Sequence, residues 1–210
     1  GKGAGFLAEP QKLDQFLDQI FSKLDMKISI KTRIGTHYEE DWEYLLAIYE
    51  KYPIHELIIH PRIQTDMYRG VPRLGAYEKA VNRLKMPLCY NGNLFSAADY
   101  KRITERFPDT CCFMYGRGLI TNPGLITEIR EGIRPNKKTV REFHDCLFEE
   151  YRELLSGERN VLFRMKELWS YMAVNFTNYE KYAKKIKKSQ HLSEYSSVVS
   201  SLFAEQDLID

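Results

Sequence analysis

Four short polar motifs hold the side chains of this sequence that could do chemistry, and each follows a short apolar run. Cationic side chains can clamp an anion, and glycines let backbone N–H groups approach a bound group closely. Together the motifs are typical of a site for a phosphorylated ligand. Their polar residues are Lys31 and Arg33, His60 and Arg62, the run Asn91-Gly92-Asn93, and Gly116 and Arg117.

Each motif also has a structural interpretation. Lys31 and Arg33 are two positions apart and project to one face of a strand, where they could equally form a solvated, salt-bridged edge. A histidine that ends a strand, such as His60, is more often structural than catalytic, although Arg62 adds a second polar side chain beside it. Asn-Gly is also the commonest turn dipeptide, so the run at 91–93 could be a plain turn.

An alternation of helices and strands must position these motifs. Apolar periodicity predicts helices over 10–24, 41–51, 77–84 and 97–107, and strands over 27–33, 56–60, 87–90 and 110–115. The strand centres are ~24–30 residues apart, which is typical of parallel βα units. Four such units make half of an eight-stranded barrel or a small open sheet. Either fold places the motifs at the carboxyl ends of the strands, where such folds bind ligands.

The sequence changes character after Pro135. Helical periods predict helices over 139–155, 160–175, 179–188 and 195–203 and no further strand. We therefore expect two domains, 1–136 and 137–210, with Phe163, Trp169 and Met172 in the core of the second. Residues 159–190 hold eight Lys/Arg and two acids, a local net charge of +6 against +2 for the whole chain. Interleaved aromatics make this segment either an RNA-binding surface or a solvated helix face.

The composition is that of a globular protein. Hydrophobic residues make up 43% and charged residues 29%, which excludes a disordered or collagen-like chain. The four cysteines, at 89, 111, 112 and 146, include no CxxC pair. We interpret all four as structural thiols in a reducing compartment and expect neither disulfides nor a metal site. No apolar run reaches ~18 residues, so we predict no membrane segment and expect a cytoplasmic location.

The ordered motifs resemble those of the dihydrouridine synthases, flavin enzymes that reduce specific uridines in transfer RNA. The matching segments are GKGAG at 1–5, KTRIG at 31–35, IHPR at 59–62 with Tyr68 following, YNGN at 90–93, MYGRGLITNP at 114–123 and RMKELWSYM at 164–172. The resemblance implies an α/β fold, the C-terminal half of an FMN-binding (β/α)8 TIM barrel, followed by an all-α helical domain that binds tRNA. It further implies hydride delivery from reduced FMN to uridine, with NADPH as the reductant.

The resemblance also implies roles for individual residues. Lys31 would lie near the pyrimidine edge of the flavin and stabilise negative charge there, with His60 beside the flavin or the substrate. The FMN phosphate would be held by Asn91, Gly92, Asn93, Gly116 and Arg117. Contacts to tRNA would come from Arg33, Arg62, Arg164 and Lys166.

Two departures from the family pattern change what we expect of this chain. The family usually has Asn-Gly-Asp where this chain has Asn91-Gly92-Asn93, a loss of charge that we expect to do little harm. More seriously, the catalytic cysteine of the family lies in an Asn-x-x-Gly-Cys-Pro-like loop that this sequence does not contain. We therefore assign no catalytic residue and expect a C-terminal portion of the enzyme that is inactive alone. An incomplete barrel leaves sheet edges unpaired, so we expect self-association, or flavin binding that is weak or absent.

Two other functions stay open from the sequence. One is a different flavin- or phosphate-binding barrel enzyme that acts on a small molecule, although such an enzyme needs no basic helical tail. The other is a non-catalytic RNA-binding protein, which the missing cysteine loop favours.

Overall fold

A computed structural model of the protein describes residues 3–209 and divides them into two compact units. The first unit comprises residues 3–93 and 101–115, and the second comprises residues 94–100 and 116–209. Residues 116–136 group with the helical residues that follow them. The domain boundary at 136 stays a prediction, since contacts within the chain define compact units and not evolutionary domains.

The first unit is built on a parallel four-stranded sheet. Its strands are β1 (Ser29–Arg33), β2 (Glu56–His60), β3 (Leu88–Tyr90) and β4 (Cys112–Phe113), and they are adjacent in chain order. This sequential order is that of a (β/α) barrel wall, whereas a doubly wound sheet reverses its order part-way. The predicted α/β class with a parallel sheet is therefore confirmed.

Helices alternate with these strands and then continue without them. The α-helices that alternate with the strands are α1 (Pro10–Lys23), α2 (Asp41–Tyr49), α3 (Leu74–Arg83) and α4 (Ala97–Arg106). Those that follow are α5 (Arg117–Thr121), α6 (Leu125–Glu131), α7 (Lys137–Leu154), α8 (Glu158–Met172), α9 (Tyr179–Lys188) and α10 (Leu192–Glu205). Short 3₁₀ helices span Gly3–Ala8, Gln64–Asp66 and Ala173–Asn175. The all-α C-terminal region is as expected.

Alternate strand residues face opposite sides of the sheet. On one side, the Thr32 hydroxyl lies 2.8 Å from the hydroxyl of Tyr49 in α2, and the ring of Tyr90 meets that of Tyr77 in α3 edge-on at 5.1 Å. This side packs against helices and forms the core of the first unit. The other side, here called the polar face, carries Lys31, Arg33, Glu56, Ile58, His60, Cys89 and Cys112.

The second unit has its own core, in which Trp169 and Met172 of α8 are fully buried. The prediction of a core position is confirmed for these two residues and is wrong for Phe163, which is 68% exposed. The buried positions of α8 also include Val161 and Met165. At 100° per residue, Phe163 lies well outside the stripe that these positions define.

The membrane prediction can be compared with the helices themselves. Within residues 3–209, no helix combines the length and the hydropathy that crossing a bilayer requires.

Candidate functional site

The strand register gathers the first two motifs on the polar face. Arg33 is the parallel neighbour of His60, and Lys31 is the neighbour of Ile58 one row below. Residues in register on adjacent parallel strands project to the same side. The sheet thus brings Lys31, Arg33 and His60 to one side of the carboxyl end, where the sequence places a ligand site.

Lys31 connects the first motif to the third. Its ammonium donates a hydrogen bond of 2.8 Å to Oδ1 of Asn91, 60 positions along the chain. The amide nitrogen of Asn91 donates in turn to the carbonyl of Met114 at 2.7 Å. Asn91 therefore uses both ends of its amide and holds Lys31 against the ends of β3 and β4.

The environment of Lys31 makes its charge less favourable than in water. Surrounding atoms remove part of the hydration of the ammonium, and the Arg33 guanidinium adds repulsion. Both effects lower the pKa of Lys31, the first more than the second. An anionic group bound beside Lys31 would relieve both costs.

Arg33 anchors the segment that follows β2. Its guanidinium donates to the carbonyls of Ile63 at 2.8 Å and Met67 at 3.0 Å, and it lies 5.7 Å from the centre of the Tyr68 ring. The Tyr68 side chain is 60% exposed. Arg33 thus fixes the backbone that presents an exposed aromatic ring next to the polar face.

Arg62 is fully buried. Its guanidinium donates to the carbonyls of Arg69 at 3.2 Å and Gly70 at 2.5 Å, and to Oδ1 of Asn93 at 3.1 Å. It also lies 3.0 Å from Nε2 of His60, which accepts because a guanidinium only donates. The assignment of Arg62 to tRNA stays a prediction, but its burial favours a role in holding the loops that carry His60 and Asn93.

The third motif has a tight backbone around Gly92. A Cβ at this position would lie 3.1 Å from Cγ of Pro72 and 3.3 Å from the Tyr90 hydroxyl oxygen. Asn93 adopts a positive φ of 40°, which asparagine tolerates better than most residues. Two polar side chains and a glycine with little room for a larger residue therefore follow β3 directly.

The fourth motif belongs to the second unit, where Gly116 caps α5 and Arg117 begins it. The Arg117 guanidinium lies 5.3 Å from the centre of the Phe95 ring. A Cβ on Gly118 would lie 1.9 Å from the carbonyl oxygen of Leu94, so only glycine fits there. The structure describes this motif within its own unit, and its part in binding phosphate stays a prediction.

The two basic residues predicted on α8 have different surroundings. Arg164 is exposed and forms an ion pair of 2.9 Å with Glu167. Lys166 is partly buried and donates to the carbonyl of Ser189, which follows α9. A cation is favourable at a helix C-terminus, so Lys166 helps to end α9. Their predicted contacts with tRNA stay predictions.

Part of the site could not be found from residue types. The acceptors that hold Arg33 and Arg62 are main-chain carbonyls, and every residue has one, so the sequence carries no signal for them. The sequence did indicate Gly118, because it is the second glycine of the run Gly116-Arg117-Gly118. The motif at 1–5 falls partly on residues 1 and 2, which lie outside the described residues.

The chain can also be compared with models of known protein families. The family model described as "Dihydrouridine synthase (Dus)" matches residues 1–206. The chain belongs to the dihydrouridine synthase family. The resemblance drawn from the motifs is therefore confirmed across nearly the whole chain.

Several curated members of this family are similar to the chain. It is 24% identical over 161 residues to tRNA-dihydrouridine synthase B of Vibrio vulnificus, covering 76% of this chain and 48% of that protein. It is 24% identical to probable tRNA-dihydrouridine synthase 1 of Synechocystis over 222 aligned positions, covering 100% and 58%. The identity to tRNA-dihydrouridine(16) synthase of Shewanella oneidensis is 29% over 152 residues, covering 69% and 46%. The chain spans about half the length of the curated relatives it matches.

Proposed function

We propose that this chain serves the FMN-dependent reduction of uridine in tRNA by forming one wall of the cofactor site on its polar face. The observation that carries the proposal is the 2.8 Å hydrogen bond from Lys31 to Asn91. It joins two of the family motifs at the carboxyl ends of parallel strands, where barrel enzymes place their chemistry. The family membership of the chain supports the same reaction.

The residues of the polar face fit a flavin. The pyrimidine edge of a flavin carries carbonyl oxygens that gain negative charge on reduction, and the Lys31 ammonium is a partly desolvated cation that such a group would stabilise. Bound FMN would supply the hydride for the uridine ring, and NADPH would supply the reducing equivalents.

Each residue of the wall has a separate task in this proposal. Lys31 offers the positive charge, and Asn91 orients it by accepting one of its hydrogen bonds. Arg33 holds the segment that carries Tyr68, and Arg62 holds His60 and the loop of Asn93. Such supporting contacts keep a binding site in one geometry and lower the cost of ordering it on binding.

The phosphate contacts of the proposal rest on the family resemblance. In the 91–93 loop, Asn91, Gly92 and Asn93 follow β3 closely and carry amide donors. Gly116 and Arg117 keep their predicted role because glycine gives access to the backbone and arginine can bind two phosphate oxygens at once. We assign no acid to protonate the uridine, since the sequence contains no cysteine in the family motif. Alone, these 210 residues are not expected to reduce uridine.

The helix α9 supports tRNA as the substrate. Its buried side consists of Tyr182 and Ile186, and its five lysines lie outside that side. The exposed lysines are Lys181, Lys184, Lys185, Lys187 and Lys188. A row of cations on one helix suits a phosphate backbone.

Titration of the purified 210-residue chain with FMN, followed by quenching of flavin fluorescence, tests the cofactor proposal. We expect weak, saturable quenching that Lys31→Ala and Asn91→Ala each weaken about tenfold, since one lost charged hydrogen bond costs ~1.5–3 kcal/mol. Lys101→Ala is the matched control, because Lys101 is an exposed lysine paired only at the surface. Absence of saturable quenching in the wild type, or an equal loss in the control, would contradict the proposal.

A further inference from the structure

Two thiols and a carboxylate meet on the polar face below the row of Arg33 and His60. Cys89 of β3 and Cys112 of β4 are parallel neighbours, so both side chains project to the same side of the sheet. Glu56 begins β2, which pairs with β3 but not with β4. Its side chain reaches along the sheet, so that a carboxylate oxygen and both sulfur atoms lie within 4.8 Å of one another.

We propose that Glu56, Cys89 and Cys112 form a binding site for a thiophilic divalent cation of the Zn²⁺ type. This inference does not rest on the proposed function. Among the described residues, they are the one group of three or more metal-ligating side chains that comes this close together.

The spacing of the three ligands suits a small tetrahedral ion. With bonds of ~2.3 Å to sulfur, two thiolates on one zinc lie ~3.8 Å apart. Side chains within 4.8 Å need only a small rotation to reach that separation. Strands are rigid elements, so the backbone is already placed for binding.

The chemistry of the set favours a soft or borderline metal. Two thiolates select Zn²⁺ or similar ions over Mg²⁺ and Ca²⁺, which prefer oxygen ligands. The Glu56 carboxylate accepts a hydrogen bond from the Cys112 thiol, and a cation that binds between them would displace that proton. Three protein ligands leave a fourth position for water, as in open zinc sites.

The site also has an entrance. Cys89 is buried, whereas Glu56 and Cys112 are partly exposed, so an ion can reach the group from solvent. Spacing rules for zinc sites look for paired cysteines close in sequence, and they miss this group because each ligand comes from a different strand.

Cobalt(II) is a suitable probe, because thiolate ligation gives a near-ultraviolet charge-transfer band. We expect the reduced, full 210-residue chain to bind one equivalent of Co²⁺ with this band, and Zn²⁺ to displace it. Cys89→Ser and Cys112→Ser should each abolish or halve the band. Cys146→Ser is the matched control, since Cys146 is an exposed thiol on α7 and should leave the spectrum unchanged.

The variant Glu56→Gln still tests the proposed metal site if the cysteine variants do not fold. The amide retains the shape of the side chain. We expect Co²⁺ affinity to fall at least about tenfold, because changes to residues that only support metal ligands already cost ~10–100-fold. Absence of the charge-transfer band in the wild type would overturn the proposal. So would a band that keeps its full intensity in Cys89→Ser and Cys112→Ser, or one that disappears in Cys146→Ser.

Discussion

The hydroxyl of Tyr195 lies 2.6 Å from Nε2 of His144, 51 positions earlier in the chain. The indole N–H of Trp169 donates to the same hydroxyl oxygen at 2.7 Å. On the far side of the ring, Nδ1 of His144 lies 2.8 Å from Oδ1 of Asp145, which only accepts. The hydrogen bonds therefore run in one direction, from Trp169 through Tyr195 and His144 to Asp145.

This direction predicts that the second unit loses stability as the pH falls. Burial lowers the pKa of His144 below 6.5, although Asp145 acts in the opposite direction and Arg141 adds to the lowering. The unfolded chain then binds the extra proton more readily, so the free energy of unfolding decreases as the pH falls through 6.5 towards the folded pKa. Urea unfolding between pH 8 and 5, followed by Trp169 fluorescence in a Trp42→Phe background, measures the effect.

The variant His144→Asn provides the control for this pH dependence. It removes the titrating ring, so its free energy of unfolding should vary less with pH in the same range. An unchanged slope in the variant would show that another group controls the stability of this unit.

Replacement of Arg62 should destabilise the first unit strongly. Arg62→Met removes the donors to the carbonyls of Arg69 and Gly70, to Asn93 and to the buried ring of His60, and a buried group left unsatisfied costs ~1–3 kcal/mol. We expect a loss of about 3 kcal/mol or more in urea unfolding followed by Trp42 fluorescence in a Trp169→Phe background. Arg69→Ala removes an exposed side chain of the same type and should change stability by less than ~0.5 kcal/mol.

A side chain at Gly118 should disrupt the second unit. The added methyl of Gly118→Ala would lie 1.9 Å from a backbone oxygen, so α5 must move away from Leu94. Overpacking of this kind typically costs ~1–3 kcal/mol. Gly116→Ala is the spatial control, since its Cβ would meet no atom within 4 Å. Thermal unfolding by circular dichroism compares the two, and equal melting temperatures would contradict the expected clash.

The lysines of α9 should carry the salt dependence of tRNA binding. Each phosphate contact contributes ~0.7–0.9 to the slope of log affinity against log salt, so Lys184, Lys187 and Lys188 changed together to Ala should lower the slope by about two. Filter binding of tRNA at several salt concentrations measures it. Three exposed lysines of the first unit, Lys12, Lys23 and Lys27, form a charge-matched control. A similar loss in both variants would indicate attraction by net charge alone.

The regular elements followed closely from the sequence. The strand over 56–60 was predicted with its observed bounds, because a compact apolar run ends at a polar motif. The strand predicted over 110–115 is reduced to Cys112–Phe113, since β4 is paired on one side only among the described residues. The short helices α5 and α6 were missed, because helices of five and seven residues carry too few turns for a periodic signal.

The candidate site was predictable in its residue types but not in their partners. Lys31 and His60 lie on one side of the sheet because alternate residues of a strand share a side. The predicted strands already imply this placement. The burial of Arg62 depends instead on carbonyls seven and eight residues further on, and a charge in a sequence gives no sign of whether it will be solvated. Phe163 shows the same limit. Its residue type favours burial, and only the positions of the buried residues on α8 show that Phe163 lies on the exposed side of the helix.

Arg33 and Arg62 hold the segment between 63 and 70 by its main chain. Its shape therefore depends mainly on these contacts and on Asp66, whose carboxylate accepts from the Ile63 N–H at 3.1 Å, and less on the exposed ring of Tyr68. Substitutions at Tyr68 can alter what the loop contacts without altering the path of the loop, whereas Met67 has a positive φ of 54° that restricts what can replace it. The exposed side chain at position 68 can therefore change while the backbone keeps its path, and changes of specificity can accumulate there at little cost to folding.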